Sequence, residues 1–164
     1  MIKIQRPNDF IIKKKLNLNL VKTGYPEVIS AMRRLGGSVE FVKEQLKIMG
    51  QKVGRYIEEY WNRDFKSLET TIKDLYKLIG RKKLKIIRTQ DHFQLIDRNC
   101  PLCWKPIEIT NIHYCGILTG TVEGFFERYL PKIQTPYKTV KAETVKSRSS
   151  GDQFCVHEID FIKG

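Results

Sequence analysis

Four cysteines, at positions 100, 103, 115 and 155, constrain this chain more than any other feature. Cys100 and Cys103 have the two-residue gap of a metal knuckle. Two thiolates of such a turn can reach one tetrahedral ion, with Zn–S near 2.3 Å. Cys115 follows in the first turn of a predicted helix, whose N-terminus favours the thiolate. Cys155 lies in the last predicted strand. Four thiolates converging on one ion would tie knuckle, helix and terminal hairpin together, so any fold must bring three distant stretches to one point. The spacing leaves three readings: a structural zinc, inert buried thiols that pack as small hydrophobes, and a redox Cys-x-x-Cys pair. A second Cys-x-x-Cys, as in a zinc ribbon, is absent from the sequence. Pro101 does not sit in the strand–helix context of a redox pair. The zinc reading leads, with iron or an iron–sulfur centre as the less favoured occupant of the same thiolates. His113 and His157 flank Cys115 and Cys155 and read as supporting residues; His92 falls in a turn.

Hydrophobic periodicity supplies the elements. "LNLNLV" over 16–21 alternates as a short strand, and Pro26 opens a short helix that Gly36 and Gly37 end. Ser38 is an N-cap for a long helix to about Asn62, with Val42, Leu46, Met49, Val53, Tyr56 and Tyr60 as its apolar face. Ser67 caps a second helix with the stripe Leu68, Ile72, Leu75 and Ile79, stopped by Gly80. "KLKIIRT" and "HFQLID" read as two strands around a turn at Gln90 and Asp91. A third helix is predicted from about His113 to Tyr129. "YKTVKAETVKSR" and "QFCVHEIDFI" read as a hairpin across Ser149 to Asp152. Helices followed by strands, with one helix inserted, predict an α+β fold with an antiparallel sheet. The 164 residues fit one domain over 1–164, mainly helical over 1–80, with sheet, knuckle, glycine-rich helix and hairpin over 81–164.

The third helix carries Gly116, Gly120 and Gly124, and each glycine inside a helix costs about 1 kcal/mol relative to alanine. A strand, a partner helix or a ligand lying where a side chain would project gives the physical reason.

The chain holds 30 Lys and Arg against 18 Asp and Glu, a net charge of +12. Either it meets nucleic acid or an anionic surface, or its lysines coat an exposed surface as in thermophiles. The basic residues are dispersed, which favours the second. No apolar run is long enough to span a bilayer and the first ten residues lack a signal-peptide core, so the expected compartment is the cytoplasm.

The strings "CGILTGTVEGF" (Cys115 to Phe125), "AET" (Ala142 to Thr144) and "GDQFCVH" (Gly151 to His157) resemble the 4-vinyl reductase domain family, most strongly over residues 95 to 162. That family shares its fold with subunits of the trafficking protein particle and with the sensor domain of aromatic-responsive regulators. The resemblance implies helices packed on a twisted antiparallel sheet, enclosing a hydrophobic cavity for small hydrocarbons, aromatic effectors or acyl chains. In the sensor branch, zinc ligands match Cys115, Glu143 and Cys155, plus a cysteine where this chain has Lys146. Cys100 and Cys103 stand in reserve, so the expected ligand set is Cys100, Cys103, Cys115 and Cys155, with Glu143 as substitute. The expected pocket residues are Phe41, Ile57, Trp61, Phe93, Leu118, Val122, Phe125 and Phe126, which are equally core candidates.

The implied function is a small hydrophobic-ligand-binding or sensory domain with a structural zinc, forming a homodimer and read by a protein partner. The alternatives are a reductase of an unsaturated, vinyl-bearing substrate, and a basic nucleic-acid-binding or scaffold protein. The sequence shows no G-x-G-x-x-G opening a helix and no nucleophile triad, and a closed four-thiolate site leaves zinc no open position.

Overall fold

A computed structural model describes residues 24–78, 84–103 and 111–164. The strand expected over 16–21 and the helix stop at Ile79 and Gly80 lie outside them. Backbone is helical over 24–34 (α1), and Gly36, at φ 86°, ends that unit as expected. Helix α2 spans Val39–Glu59, and the Ser38 hydroxyl accepts from the Phe41 N–H at 3.0 Å. Helix α3 spans Leu68–Leu78, with Ser67 accepting from the Thr70 N–H at 3.1 Å. Both caps satisfy donors that the first helical turn leaves open.

Strands β1 (Lys85–Thr89) and β2 (His92–Asp97) form the expected hairpin, then a 3-10 turn carries Pro101–Cys103. Helix α4 spans Gly116–Tyr129, beginning three residues later than the sequence suggests, with Cys115 at its N-cap. Strands β3 (Tyr137–Lys146) and β4 (Cys155–Lys163) complete an antiparallel sheet in the order β1-β2-β4-β3. The last strand thus lies inside the sheet, pairing His157 with Leu95 on one side and Thr144 on the other. The architecture is α+β, as the element order predicts.

The inward row Phe93, Leu95, Ile159 and Phe161 meets Val122, Phe125 and Phe126 of α4, all buried. Ring centroids lie 4.9 Å apart for Phe126–Phe161 and 5.2 Å for Phe125–Phe126, both edge-to-face, the favoured aromatic arrangement.

The buried side of α2 differs from the sequence reading. Val42 and Leu46 are buried, but Val53, Tyr56 and Tyr60 are exposed, the last at 71%. The buried line instead runs Val42, Leu46, Gly50, Gly54 and Glu58. Hydrophobic periodicity counts large side chains, whereas here the contact is made by residues that have none. A Cβ at Gly50 would stand 2.9 Å from Gly120 Cα, and one at Gly124 would stand 2.5 Å from Gln51 Cα. Gly54 likewise abuts Thr121 and Phe125, and Gly120 abuts Lys47. Two glycine pairs, one per helix, therefore bring α2 and α4 into backbone contact. That gives Gly120 and Gly124 the partner helix their cost required. Gly116 is different: a Cβ there meets nothing within 4 Å.

Candidate metal centre and adjoining cleft

The fold brings the four cysteines together. Their sulfur atoms all lie within 4.8 Å of one another, and all four residues are buried. They arrive on three supports. Cys100 and Cys103 bracket the turn after β2, closed by the Cys103 N–H on the Cys100 carbonyl at 3.3 Å. Cys115 ends the approach to α4, and Cys155 opens β4 opposite Asp97 of β2. A regular tetrahedron with 2.3 Å bonds separates its sulfurs by about 3.8 Å, so a small contraction would close the cluster on one ion. Glu143, the substitute ligand, is exposed and belongs to the rim of a cleft described below, while Lys146 is exposed at the end of β3.

Crowded thiols cannot all release their protons with equal ease. Hydrogen bonds from Cys100, then Cys115 and Cys155, hold the Cys103 thiol well below the ordinary range. Bonds to Cys100 and Cys103 push the Cys115 and Cys155 thiols up. A divalent cation reverses the second effect by supplying positive charge where the last protons sit, so metal capture releases protons. Nearby phenols feel the same cluster. Burial, then the charge of Cys103, pushes Tyr114 up to about 12. Tyr25 of α1 is raised by burial and then by Cys115; its hydroxyl donates to the Tyr114 carbonyl at 2.6 Å, laying α1 over the site.

The β3–β4 connection closes the centre from the other side. The Arg148 N–H donates to Cys155 Sγ at 3.4 Å, and Ser149 accepts from the Tyr114 N–H at 3.2 Å. Ser147 and Ser150 hold His113 through Nδ1, at 3.0 and 3.1 Å. Burial, then the Lys43 charge, holds the His113 imidazole below its ordinary pKa and so neutral. His157 is buried, with Nδ1 3.0 Å from Thr144 Oγ1, and His92 pairs with Asp160 at 2.7 Å on the sheet surface.

Beyond His113 a cleft of about 570 Å³ opens between α2, the start of α4 and the edge strand β3. Its lining includes Leu46, His113, Gly116, Thr119, Ala142 and Glu143. Glu123, missed by sequence reasoning, organises its inner wall. The nearly buried carboxylate accepts from the Ala142 N–H at 2.8 Å, from Gln51 at 3.0 Å and from Lys47 at 2.9 Å. One side chain thereby joins α4, α2 and an unpaired edge of the sheet. An acidic residue in the middle of the glycine string was the available signal.

The eight expected pocket residues are distributed otherwise. Phe93, Val122, Phe125 and Phe126 are fully buried in the aromatic core, and Leu118 is buried beside them. Ile57 and Trp61 are half-buried against that core, with Trp61 4.8 Å from Phe125, while Phe41 is 46% exposed.

No family model and no curated protein matches this chain. Solved structures do. A trafficking protein particle complex subunit 3 from Naegleria fowleri, covalently bound to palmitic acid, superposes with a TM-score of 0.73 at 19% identity, covering 91% of this chain and 97% of that one. The chain shares that fold. The phenol-responsive sensory domain of the transcription activator PoxR, with phenol, matches with a TM-score of 0.60 at 9% identity, over 86% and 74% of the two chains. A vinyl-4-reductase family protein from Methanocaldococcus jannaschii aligns over 99% of both chains with a TM-score of 0.49 and 17% identity. The architecture expected from the Cys115–Phe125 and Gly151–His157 strings is thus the one observed. Among the described residues no helix is long and apolar enough to cross a membrane.

Proposed function

We propose that residues 1–164 form one domain that binds a small hydrophobic or aromatic molecule and is stabilised by a structural zinc held by Cys100, Cys103, Cys115 and Cys155. The observation that carries it is the meeting of four buried sulfurs from three separate stretches within 4.8 Å. Four thiolates around a tetrahedral ion are a closed structural site, and such a set suits zinc. The ligand reading draws on the fold shared with a palmitate-bearing trafficking subunit and a phenol-responsive sensory domain. The guest lies among Phe41, Ile57, Trp61, Phe93, Leu118, Val122, Phe125 and Phe126. Because Phe93, Val122, Phe125 and Phe126 have no exposed surface, entry requires these side chains to repack, and the repacking is the signal a partner reads. The functional unit is a cytoplasmic homodimer.

Elemental analysis of purified protein tests the metal: one zinc per chain is expected. Iron with visible absorbance would overturn the zinc assignment and point to reductase chemistry instead. Native mass spectrometry of protein from its own host tests the ligand. Repeated absence of any bound small molecule, together with no affinity for aromatics or fatty acids, would refute the binding reading.

A further inference from the structure

Helix α2 has a second face that the fold does not use. Leu46, Gly50, Gly54 and Glu58 lie along its buried line, where the glycines admit α4. Two residues of an α-helix are about 200° apart, so the row two positions earlier points nearly the opposite way. That row is Glu44, Ile48, Lys52, Tyr56 and Tyr60, whose four-residue steps make one ridge. Ile48 is half-buried and the other four are exposed, Tyr56 at 62%. The rings of Tyr56 and Tyr60 lie 5.0 Å apart and present one aromatic surface. At the other end of the helix Phe41 and Leu35 are exposed as well, Leu35 at 88%.

Of ten exposed large hydrophobic residues among the described ones, six fall between Val28 and Tyr60. Apolar exposure concentrated in this way marks an interaction surface. At these exposures the six side chains offer about 600 Å² per chain. Two copies pairing through them would cover about 1,200 Å², the size at which specific interfaces begin.

The charges on the ridge say what covers it. Glu44 and Lys52 each stand four residues from Ile48, and neither forms an ion pair among the described residues. Nucleic acid or an anionic surface calls for a row of cations, whereas this ridge carries one charge of each sign. Turned end for end about Ile48, the ridge matches itself: Glu44 of each copy meets Lys52 of the other. The same half-turn brings Tyr56 of one copy against Phe41 of the second, and Tyr60 beside the turn that carries Leu35. A parallel pairing would instead set like charges together. A self-matching contact closes under two-fold symmetry and stops at two copies.

We propose that this ridge of α2 is the surface through which two copies of the chain pair, antiparallel about Ile48, with Leu35 and Phe41 completing each end. The inference rests on the homodimer reading above and gives it a surface and a register. The two sides of α2 then have separate tasks: the glycine side closes the fold, and the tyrosine side closes the assembly.

Sedimentation velocity of the full, metal-loaded chain over a concentration series tests it. The parent is expected to be a dimer. Tyr56→Glu with Tyr60→Glu should give a monomer with metal content retained, since neither tyrosine belongs to the core. Glu44→Lys and Lys52→Glu, each alone, oppose like charges twice per dimer and should weaken pairing about tenfold. Mixed together, the two single variants should pair with each other at parental strength, because both contacts regain opposite signs. A parental dimer in the double tyrosine variant would overturn this surface and leave the homodimer standing. Unweakened dimers of both charge variants, with no preference for the mixed pair, would overturn the register and with it the proposal. A parent that is monomeric at every concentration would overturn both the surface and the homodimer.

Discussion

Two alanine substitutions in one helix should act in opposite directions. At Gly120 a new Cβ would fall against the Lys47 backbone, 3.0 Å from its carbonyl carbon and 3.1 Å from its Cα. Carbon atoms in ordinary contact stand about 3.5–4.0 Å apart, so α2 and α4 must separate by about 0.5–1 Å. Backbone cannot swing aside as a side chain does, and forced overpacking costs about 1–3 kcal/mol. Alanine recovers about 1 kcal/mol of helix propensity at Gly120, inside α4, and less at Gly116, the first residue of that helix. Gly116→Ala has only that gain, because its Cβ enters open space. The difference between the two variants is therefore the overpacking cost less the larger propensity gain at Gly120. For a chain of this length about 1 kcal/mol moves Tm by about 2–4 °C, so Gly120→Ala should melt up to about 10 °C below Gly116→Ala. Thermal unfolding of metal-loaded protein, supported by urea midpoints, measures this. Combining Gly120→Ala with Gly50→Ala should cost less than the sum, since Gly50 faces Gly120 and the helices need part only once. Equal melting temperatures for Gly116→Ala and Gly120→Ala would refute backbone contact as the reason for the inner glycines.

Cys115→Ser should lower metal content and melting temperature together, because binding of a structural metal is part of the folding free energy; full zinc retention by elemental analysis would remove Cys115 from the site. Glu123→Leu strands the buried Ala142 N–H and should destabilise by about 1–3 kcal/mol in urea titration, while Glu123→Gln, which keeps an acceptor, should cost less. Metal affinity should fall as pH drops, since the raised Cys115 and Cys155 thiols hold their protons; a competitive chelator titration across pH would show a flat profile if the thiols were not ligands. Asp91, held below the ordinary aspartate range by Lys163 and then Tyr137, contributes stability above its unfolded pKa and loses it as pH falls through the lower folded value. Asp91→Asn should therefore be less stable than the parent at neutral pH and equal to it in strong acid, as read by urea midpoints at several pH values.

The sequence announced the parts whose chemistry is carried by residue identity. Cysteine spacing exposed the convergent cluster, the two strand-like runs around Gln90 and Asp91 exposed β1 and β2, and the Ser38 and Ser67 caps exposed two helix starts. What it hid was carried by absence or by long-range geometry. Gly50 and Gly54 contribute nothing to an apolar stripe, so periodicity points to Val53, Tyr56 and Tyr60 as the inner face of α2, whereas they are exposed. The insertion of β4 between β2 and β3 has no local signature, because pairing partners lie far apart along the chain. Glu123 reads as a surface residue until the edge of β3 arrives beside it. The aromatic residues of α4 look the same in sequence whether they line a chamber or fill a core.

The sheet order sets when the molecule can close. The β1–β2 hairpin and strand β3 lie on opposite sides of β4, so neither can reach the other until that last strand settles between them. Its first residue is Cys155, opposite Asp97 at the end of β2 and within reach of the knuckle sulfurs. Closing so long a loop is entropically slow. An ion already caught by the knuckle would act as a catch at that seam, holding Cys155 once it arrives and so favouring the inserted strand.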